Sequence, residues 1–376
     1  MQPPFVIVEN HLAGGQLLFA QPLSIIRVDH FEQVPAALEG IDAALAAGHH
    51  VAGYFSYELG YALEPAVAPF FPKLRKVPLL WLGVFDAPQP HWHGETSNHL
   101  APRVLLDHEW TFETYAERFD SVQNAIRDGD IYQANLTFRS RFRMNGDPLA
   151  LYAQLRERSA ARHCAYVDDG ERQILSLSPE LFFQIDARGG IIARPIKGTV
   201  ARGAGPAADA AARAHLRTSP KERAENLMIV DLMRNDVGRI AEVGSIAVDS
   251  LFEIETYPTV HQMVSTVTGR LKPEVRASDT LRALFPCGSV TGAPKIRAMQ
   301  IVAALETSPR GVYCGAIGYF APDRSASFNV AIRTLTVQGG DAELGIGGAV
   351  VHDSRARAEY DECLLKARFL ETNLSG

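Results

Sequence analysis

The chain has 376 residues, of which 47% are hydrophobic and 21% charged, and its formal net charge is −6. This is the composition of a globular protein, without the basic excess typical of nucleic-acid binding or the polybasic run typical of membrane surfaces. No run approaches the roughly 18 apolar residues of a membrane span, and the N-terminus lacks a signal-peptide pattern, so a cytoplasmic protein is expected. The four scattered cysteines are expected to be reduced thiols: Cys164, Cys287, Cys314 and Cys363.

The first hundred residues predict short strands, one helix and a loop. Residues 34–48 have helical spacing and end at Gly48, which suits a helix C-cap. Residues 88–102 have the composition of a loop and carry three histidines, His91, His93 and His99. Surface histidines are favoured over a metal site there, because no carboxylate cluster accompanies them.

From about residue 110 onward, groups of strands are separated by helices. Helices are predicted over 111–129, 148–160 and 221–240, and an Ala- and Gly-rich loop over 201–214 is predicted to run into another. Predicted strands include IYQANLTFRSRFRM, VHQMVSTVTGRL, FNVAIRTLTV and AELGIGGAVV. Because regular βαβ alternation is missing, the pattern predicts an α+β fold with largely antiparallel sheets.

The C-terminal helix carries Glu359, Glu362 and Lys366 on one face, because they are three and four residues apart. Such a face is often only a solvated salt-bridge surface. The preceding segment contains Gly345, Gly347 and Gly348, which are predicted to break a strand and to expose N–H groups as an anion cradle.

A second acidic position, Glu225, lies in a helix predicted to be largely buried. Polar residues in a buried helix need partners, and the helix's own charged residues can supply them. Glu225 and Glu362 can instead share a hard divalent cation such as Mg²⁺, which prefers oxygen ligands and takes few of them from protein.

The segment RPIKGT places Lys197 near the end of an apolar strand. A lysine in dry surroundings loses its proton readily and becomes a nucleophile, although a strand-end lysine also commonly reaches out to water. Upstream, Glu180 in SPELFF is a candidate acid–base or hydrogen-bonding group.

Two further side chains and one loop are candidates for binding. His261 occupies an alternating strand, where a core histidine is the ordinary interpretation. Arg333 interrupts an apolar strand, so a carboxylate of the protein or of a substrate is expected opposite it. The loop PCGSVTGAP precedes a helix but lacks the Walker pattern, so it indicates nucleotide binding only weakly.

The segments RPIKGT, ENLMIVDLMRND, HQMVSTVTG, FPCGSVTGAPKIRAM, YCGAIGYF, FNVAIRTL, GIGGAVVHDS and AEYDECLLK occur in this order. Together they resemble the chorismate-utilising enzymes, densely over about residues 110–372 and more loosely over GYFSYELGYALEP near the N-terminus. The resemblance implies a sandwich of large antiparallel sheets with helices outside, like anthranilate synthase component I. It also implies that residues 1–100 are the N-terminal region of the amination-type synthases, intertwined with a catalytic region over 101–376.

The resemblance implies chorismate as substrate, with Mg²⁺ on its ring carboxylate and Glu225 and Glu362 as metal ligands. His261 matches a family histidine near the substrate, and the resemblance implies a catalytic role for it. The implied substrate-binding groups hold the carboxylates or line the ring site: Arg333, Tyr313, Lys366, the backbone of Gly347 and Gly348, and Gly198 with Thr199.

Lys197 distinguishes the branches of this family. The anthranilate branch resembles PIAGT at this point, whereas the aminodeoxychorismate branch resembles PIKGT, as in this chain. The implied reaction has Mg²⁺ and Glu180 assist departure of the ring hydroxyl while the Lys197 amine adds. Ammonia then displaces the lysine and gives 4-amino-4-deoxychorismate, which leads to 4-aminobenzoate.

Ammonia would come from glutamine. The chain shows no Cys-His-Glu set in a nucleophile elbow, so a separate glutamine amidotransferase subunit is the expected partner. The rival hypotheses are an anthranilate synthase large subunit, which Lys197 disfavours, an isochorismate synthase, which uses water, and a non-catalytic subunit of the same fold.

Overall fold

The computed structural model describes residues 1–9, 14–90, 105–159, 161–257 and 260–370. The predicted loop histidines His91, His93 and His99 lie outside these ranges. Within them the strands are β1 (Phe5–Glu9), β2 (Gln16–Ala20), β3 (Ser24–Val28), β4 (His50–Phe55), β5 (Leu80–Phe85), β6 (Gln89–Pro90), β7 (Asp107–His108), β8 (Gln133–Arg143), β9 (His163–Asp168), β10 (Gln173–Ser178), β11 (Leu181–Ile185), β12 (Gly190–Arg194), β13 (Ile196–Ala201), β14 (Ala247–Thr256), β15 (Val260–Arg270), β16 (Gly292–Ala293), β17 (Ala316–Phe320), β18 (Ala326–Val330), β19 (Thr334–Gln338) and β20 (Asp341–Val350).

The helices confirm most of the predicted ones to within a few residues. Thr111 accepts a hydrogen bond from the Thr114 amide at the start of one, and Ser219 caps another through the Glu222 amide. The helices are α1 (Val34–Ala46), α2 (Leu59–Leu63), α3 (Phe112–Arg127), α4 (Pro148–Ser159), α5 (Pro206–Thr218), α6 (Pro220–Gly238), α7 (Ala277–Leu284), α8 (Lys295–Leu305) and α9 (Ala356–Ala367). None of these described helices has both the length and the apolar character needed to cross a bilayer.

The strands form two large antiparallel sheets. The first has the order β16-β8-β20-β19-β10-β9-β1-β2-β6, with β7 also paired to β8. The second has the order β13-β15-β12-β11-β18-β17-β4-β5-β3, with β14 also paired to β15. The predicted α+β class is confirmed. Strands from the N-terminal region join both sheets, because β1 pairs with β9 and β4 pairs with β17.

The sheets pack face to face, and the helices cover their outer faces. Phe19 and Val167 of the first sheet meet Tyr54, Trp81 and Ile317 of the second in one buried cluster. Two further apolar clusters lie under helices, one beneath α1, α6 and α7 and the other beneath α3, α4, α8 and α9. The architecture is therefore a β-sandwich between two layers of helices.

The prediction of one strand over FNVAIRTLTV is wrong. β18 ends at Val330 in the second sheet and β19 begins at Thr334 in the first, so residues 331–333 cross between the sheets. Both strands are almost wholly buried, and a continuous apolar run therefore hides the change of sheet.

The predicted break at the glycines of GIGG is also wrong. β20 pairs with β8 from Asp341 to Val350 without interruption. Gly345 is needed there for close packing, because a Cβ at that position would overlap the Tyr313 ring.

Helix α6 is less buried than predicted. Leu227 is 44% exposed, and Asp231 and Arg234 pair with each other on the outer face. The buried positions follow one helical stripe: Asn226, Ile229, Val230, Met233, Asp236 and Val237.

Candidate functional site

Four separate parts of the chain converge at Lys197. Glu180 precedes β11, Lys197 lies in β13, Glu225 lies in α6, and Glu362 and Lys366 lie in α9. Each of the other four side chains acts on the pKa of Lys197 through its charge, so all of them lie within electrostatic reach of the amine. Antiparallel pairing of β13 with β15, and packing of α6 on both strands, hold this edge of the second sheet in place.

The Lys197 amine has weak protein partners. Its Nζ donates a long hydrogen bond of 3.4 Å to the Ser289 carbonyl oxygen. Burial lowers the pKa of Lys197, although Glu225 and Glu180 act in the opposite direction. A lowered pKa increases the fraction of neutral amine at a given pH, which is the form that can act as a nucleophile.

Glu180 is only 4% exposed, and its Oε1 has no hydrogen-bond partner within the described part of the chain. Burial raises the pKa of Glu180 to about 7, against the opposing effects of the Ser289 hydrogen bond and the Lys197 charge. A carboxyl group with this pKa is partly protonated at neutral pH and can donate a proton.

Ser289 is a site residue that the sequence did not single out. Its carbonyl accepts from Lys197, and its hydroxyl hydrogen-bonds Glu180 and lies 3.3 Å from Cys287 Sγ. A Cβ at neighbouring Gly288 would overlap Leu232 of α6, so the loop is pressed against that helix. The glycines around Ser289 were the available signal, but the pattern of this loop indicated only weak nucleotide binding.

The acidic residues form a shared electrostatic group that includes Glu359, which the predicted ligand set lacked. Lys221 Nζ lies 3.9 Å from both Glu225 Oε1 and Glu359 Oε1, and Lys366 Nζ lies 2.8 Å from Glu362 Oε1. Burial raises the pKa of both Glu225 and Glu359. Repulsion from Glu222 and Glu359 raises the pKa of Glu225 further, and repulsion from Glu362 does the same for Glu359.

These carboxylates suit a divalent cation. Among the described residues, no group of three or more His, Cys, Asp or Glu side chains is placed to surround a metal by itself. Mg²⁺ usually takes only one or two carboxylates from protein, together with water and substrate oxygens. Glu225 and Glu362 offer hard oxygen donors, and a cation would offset the repulsion that raises the pKa of Glu225.

Lys366 joins α9 to the glycines of β20. Its Nζ donates to the Gly347 carbonyl at 3.0 Å, and a Cβ at Gly348 would lie 3.5 Å from this amine. Burial alone would lower the pKa of Lys366, but Glu362 raises it above its usual value. From Gly345 onward, β20 pairs only with β8 among the described strands, so its other edge is open beside this amine.

Gly198 and Thr199 follow the lysine in β13. Gly198 has a φ of 90°, and a Cβ there would lie 2.8 Å from Glu222 Oε2 and 2.9 Å from Leu216 Cδ1. Only glycine fits this left-handed backbone beneath α5 and α6. Thr199 is exposed beside Gln262 of β15.

Arg333 lies in the segment that crosses between the sheets, with a φ of 48°. Its backbone carbonyl accepts from the Leu177 amide at 3.1 Å, and the Glu180 carbonyl accepts from Val330 nearby. Its guanidinium forms no ion pair or hydrogen bond with the described residues, and burial lowers its pKa. Tyr313 lies close in the fold, because the Cys314 amide donates to the Ala331 carbonyl. A half-buried arginine without a protein carboxylate is suited to binding one from a ligand.

His261 is fully buried, and both of its ring nitrogens have partners. Nε2 lies 2.9 Å from Asp209 Oδ1 in α5, and Nδ1 lies 3.0 Å from Thr256 Oγ1 in β14. Its register partner in β13 is Val200, three residues from Lys197. These contacts are those of a core histidine, and its catalytic role stays a prediction.

A family model for chorismate binding enzymes matches residues 10–372. The chain belongs to this family. An aminodeoxychorismate synthase from Streptomyces pristinaespiralis is 42% identical over 87% of this chain and 45% of its own length. The aminodeoxychorismate synthase component 1 of Klebsiella aerogenes is 44% identical over 74% of this chain and 63% of its own length.

The other branch is also represented. An anthranilate synthase component 1 from Methanothermobacter marburgensis is 40% identical over 68% of this chain and 55% of its own length. The chain thus spans about half the length of the curated relatives it matches. The crystal structure of anthranilate synthase component I from Streptococcus pneumoniae has a TM-score of 0.82 at 24% identity, over 99% of this chain and 93% of that one. The chain therefore has the predicted fold of anthranilate synthase component I.

Proposed function

We propose that this chain is the chorismate-aminating component of an aminodeoxychorismate synthase. The observation that carries the proposal is a lysine of lowered pKa next to a buried carboxyl of pKa about 7, Lys197 and Glu180. Identities of 42–44% and 40% separate the two branches only slightly, so the choice between them rests on the residue at position 197. An alanine there, as the resemblance implies for the anthranilate branch, would leave no amine to add to the ring.

In the first step, the neutral Lys197 amine adds to the chorismate ring, the ring double bonds shift, and the hydroxyl leaves. Protonated Glu180 donates its proton to the departing hydroxyl, which leaves as water. The resulting carboxylate then takes the extra proton from the new nitrogen–carbon linkage. Two easier displacements thereby replace one difficult substitution.

In the second step, ammonia adds to the carbon that lost the hydroxyl. The double bonds shift back, the bond between the ring and Lys197 breaks, and a proton passes from the entering nitrogen to the leaving amine. Arg333 and Lys366 bind the substrate carboxylates during both steps, which keeps the ring in place over Lys197.

Glu225 and Glu362 would hold Mg²⁺ in this proposal. When bound, the ion would neutralise the ring carboxylate and polarise the ring. Calorimetry of Mg²⁺ binding tests this assignment separately from turnover. Glu225→Gln and Glu362→Gln are each expected to weaken binding roughly tenfold or more, because each removes a charged oxygen donor. Wild-type affinity in both variants would remove the two residues from the metal site.

The partner in this proposal is a glutamine amidotransferase subunit that supplies ammonia. The name "component 1" of the Klebsiella relative supports a second subunit for that protein.

Product analysis tests the proposed reaction. The purified chain with chorismate, ammonium and Mg²⁺ is expected to form aminodeoxychorismate, identified by mass, and no fluorescent anthranilate. Lys197→Ala is expected to lower the rate at least about a thousandfold while the fold is retained, and Lys73→Ala, which alters an exposed lysine, serves as the matched control. Anthranilate from the wild-type chain, or unchanged product from Lys197→Ala, would overturn the proposal.

A further inference from the structure

A cavity of about 610 Å³ lies on the outer side of α5 and α6, where these helices meet β14. Arg213 and Arg217 of α5 and Arg223 of α6 line it, and Leu251 and Phe252 of β14 supply apolar surface. The three arginines are exposed, and Leu251 is 45% exposed although it is a large apolar side chain. The cavity is therefore open to a partner from solvent.

The charge of this surface is unbalanced. In the described ranges, the three guanidinium groups form no ion pair, and Arg223 lies over the Phe252 ring with its Cζ 4.5 Å from the centroid. Glu253 also lines the cavity, but it does not pair with them. A local excess of positive charge stands out in a chain whose net charge is −6.

Arg213 and Arg217 lie on α5, and this helix is fixed to the core. Asp209 of α5 accepts from Arg202 at 2.7 Å and lies 2.9 Å from the buried His261 ring. Leu216, the buried residue of α5, packs near Gly198. Arg213 and Arg217 are one helical turn apart on the same face, so their spacing is set before any partner binds.

The same two helices separate this cavity from Lys197. Leu216 and Glu222 lie against Gly198, next to the lysine, whereas the adjacent Arg217 and Arg223 line the cavity. A protein bound in the cavity would therefore contact the helices directly behind the proposed reaction site.

We propose that this surface, formed by Arg213, Arg217, Arg223, Leu251 and Phe252, docks an acidic patch of the glutamine amidotransferase subunit. The inference rests on the proposed function, which requires that partner. Arginine and aromatic side chains are enriched at protein interfaces, and a guanidinium pairs with a carboxylate through two parallel hydrogen bonds. Leu251 supplies the apolar contact that such an interface needs at its centre.

The test compares two nitrogen sources in the same enzyme. The double variant Arg213→Glu/Arg217→Glu is expected to weaken binding of the cognate amidotransferase subunit at least about tenfold, because like charges then face each other. Its glutamine-dependent rate at limiting subunit should fall by a similar factor, while its ammonia-dependent rate without the subunit stays within about twofold of wild type. The control is Arg127→Glu/Arg282→Glu, which reverses two exposed helical arginines elsewhere.

Wild-type subunit affinity in the double variant would overturn this docking surface. A loss of ammonia-dependent activity, or a raised KM for chorismate, would also overturn it, because the arginines would then serve the synthase itself or a small anion. Failure of the proposed function is distinguishable, since the wild-type chain would then make no aminodeoxychorismate from ammonium, whereas subunit affinity can still be measured.

Discussion

Arg310, a buried arginine of the scaffold, and Arg333, a half-buried arginine of the candidate site, differ in the partners that the chain provides for their charge. Arg310 donates to both carboxylate oxygens of Glu306 at 2.7 and 2.8 Å and to the Val290 and Asn135 carbonyls at 2.7 Å. Its guanidinium also lies 4.2 Å from the centroid of the Tyr57 ring. Each of the three guanidinium nitrogens of Arg310 therefore has a hydrogen-bond partner within the chain.

The charged side chains of the candidate site lack such a full set of partners. In the described structure Arg333 forms no side-chain hydrogen bond or ion pair, Glu180 Oε1 has no partner, and Lys197 makes one long bond. Because a buried polar group without a partner costs free energy, such groups persist where a ligand completes them. The contrast separates charges that stabilise the fold from charges that bind or react with the substrate in the proposed function.

The largest expected effect concerns the scaffold arginine. Arg310→Ala should lower the free energy of unfolding by about 3–5 kcal/mol, because it leaves the buried Glu306 carboxylate unpaired. Urea denaturation followed by circular dichroism measures this change. Arg143→Ala, which breaks an exposed pair with Asp341, should cost less than about 1 kcal/mol. Equal stability of the two variants would contradict the stabilising role assigned to Arg310.

Glu180→Gln removes the proposed proton donor. We expect kcat to fall by about 10²–10⁴, the usual contribution of a general acid. In the wild type, the protonated form of Glu180 is present below its pKa of about 7 and is lost as the pH rises through that value. The pH–rate profile of the wild type should therefore decline above about pH 7. The profile of the residual rate of the variant should lack this declining limb. A variant that retains the same declining limb would assign it to another group.

Arg333→Ala tests the unpaired arginine directly. The KM for chorismate should rise by about 10- to 100-fold, the value of a hydrogen-bonded charged contact. The melting temperature should not fall, because no protein partner is lost, in contrast to Arg310→Ala. Arg333→Lys, which keeps the charge but loses the planar fork, should recover only part of the affinity. A fall in melting temperature with unchanged KM would make Arg333 a scaffold residue.

The smallest effect is expected at Ser289. Ser289→Ala removes the hydroxyl that bonds Glu180 but keeps the carbonyl that accepts from Lys197, so kcat should fall about three- to tenfold. Because that hydrogen bond lowers the pKa of Glu180, its loss should move the declining limb of the pH–rate profile to higher pH. Ser121→Ala on the exposed face of α3 is the matched control. An unmoved profile would show that Ser289 has no positioning role toward Glu180.

The sequence predicted most of the longer elements that have one apolar face. The helical spacing over 34–48, 111–129 and 148–160 gave α1, α3 and α4, and grouped strands without βαβ alternation gave the α+β class. Strand β14 was not predicted, since its residues are mostly exposed or half-buried and carry no strong apolar alternation. The crossing between sheets at 331–333 was not predicted either. Both flanking strands are largely buried, so the apolar run continues across the crossing and gives no sign of it.

The sequence by itself determined the family, through ordered motifs, and singled out Lys197, Glu180, Glu225 and Glu362 as chemical candidates. Only the tertiary structure decided which residues have partners. Pairing of Arg310, isolation of Arg333 and the contact of Ser289 with Glu180 all join segments far apart in the chain, and no local spacing encodes them. Burial likewise raises the pKa of Glu180 and lowers that of Lys197, and burial is a property of the packed sheets and helices.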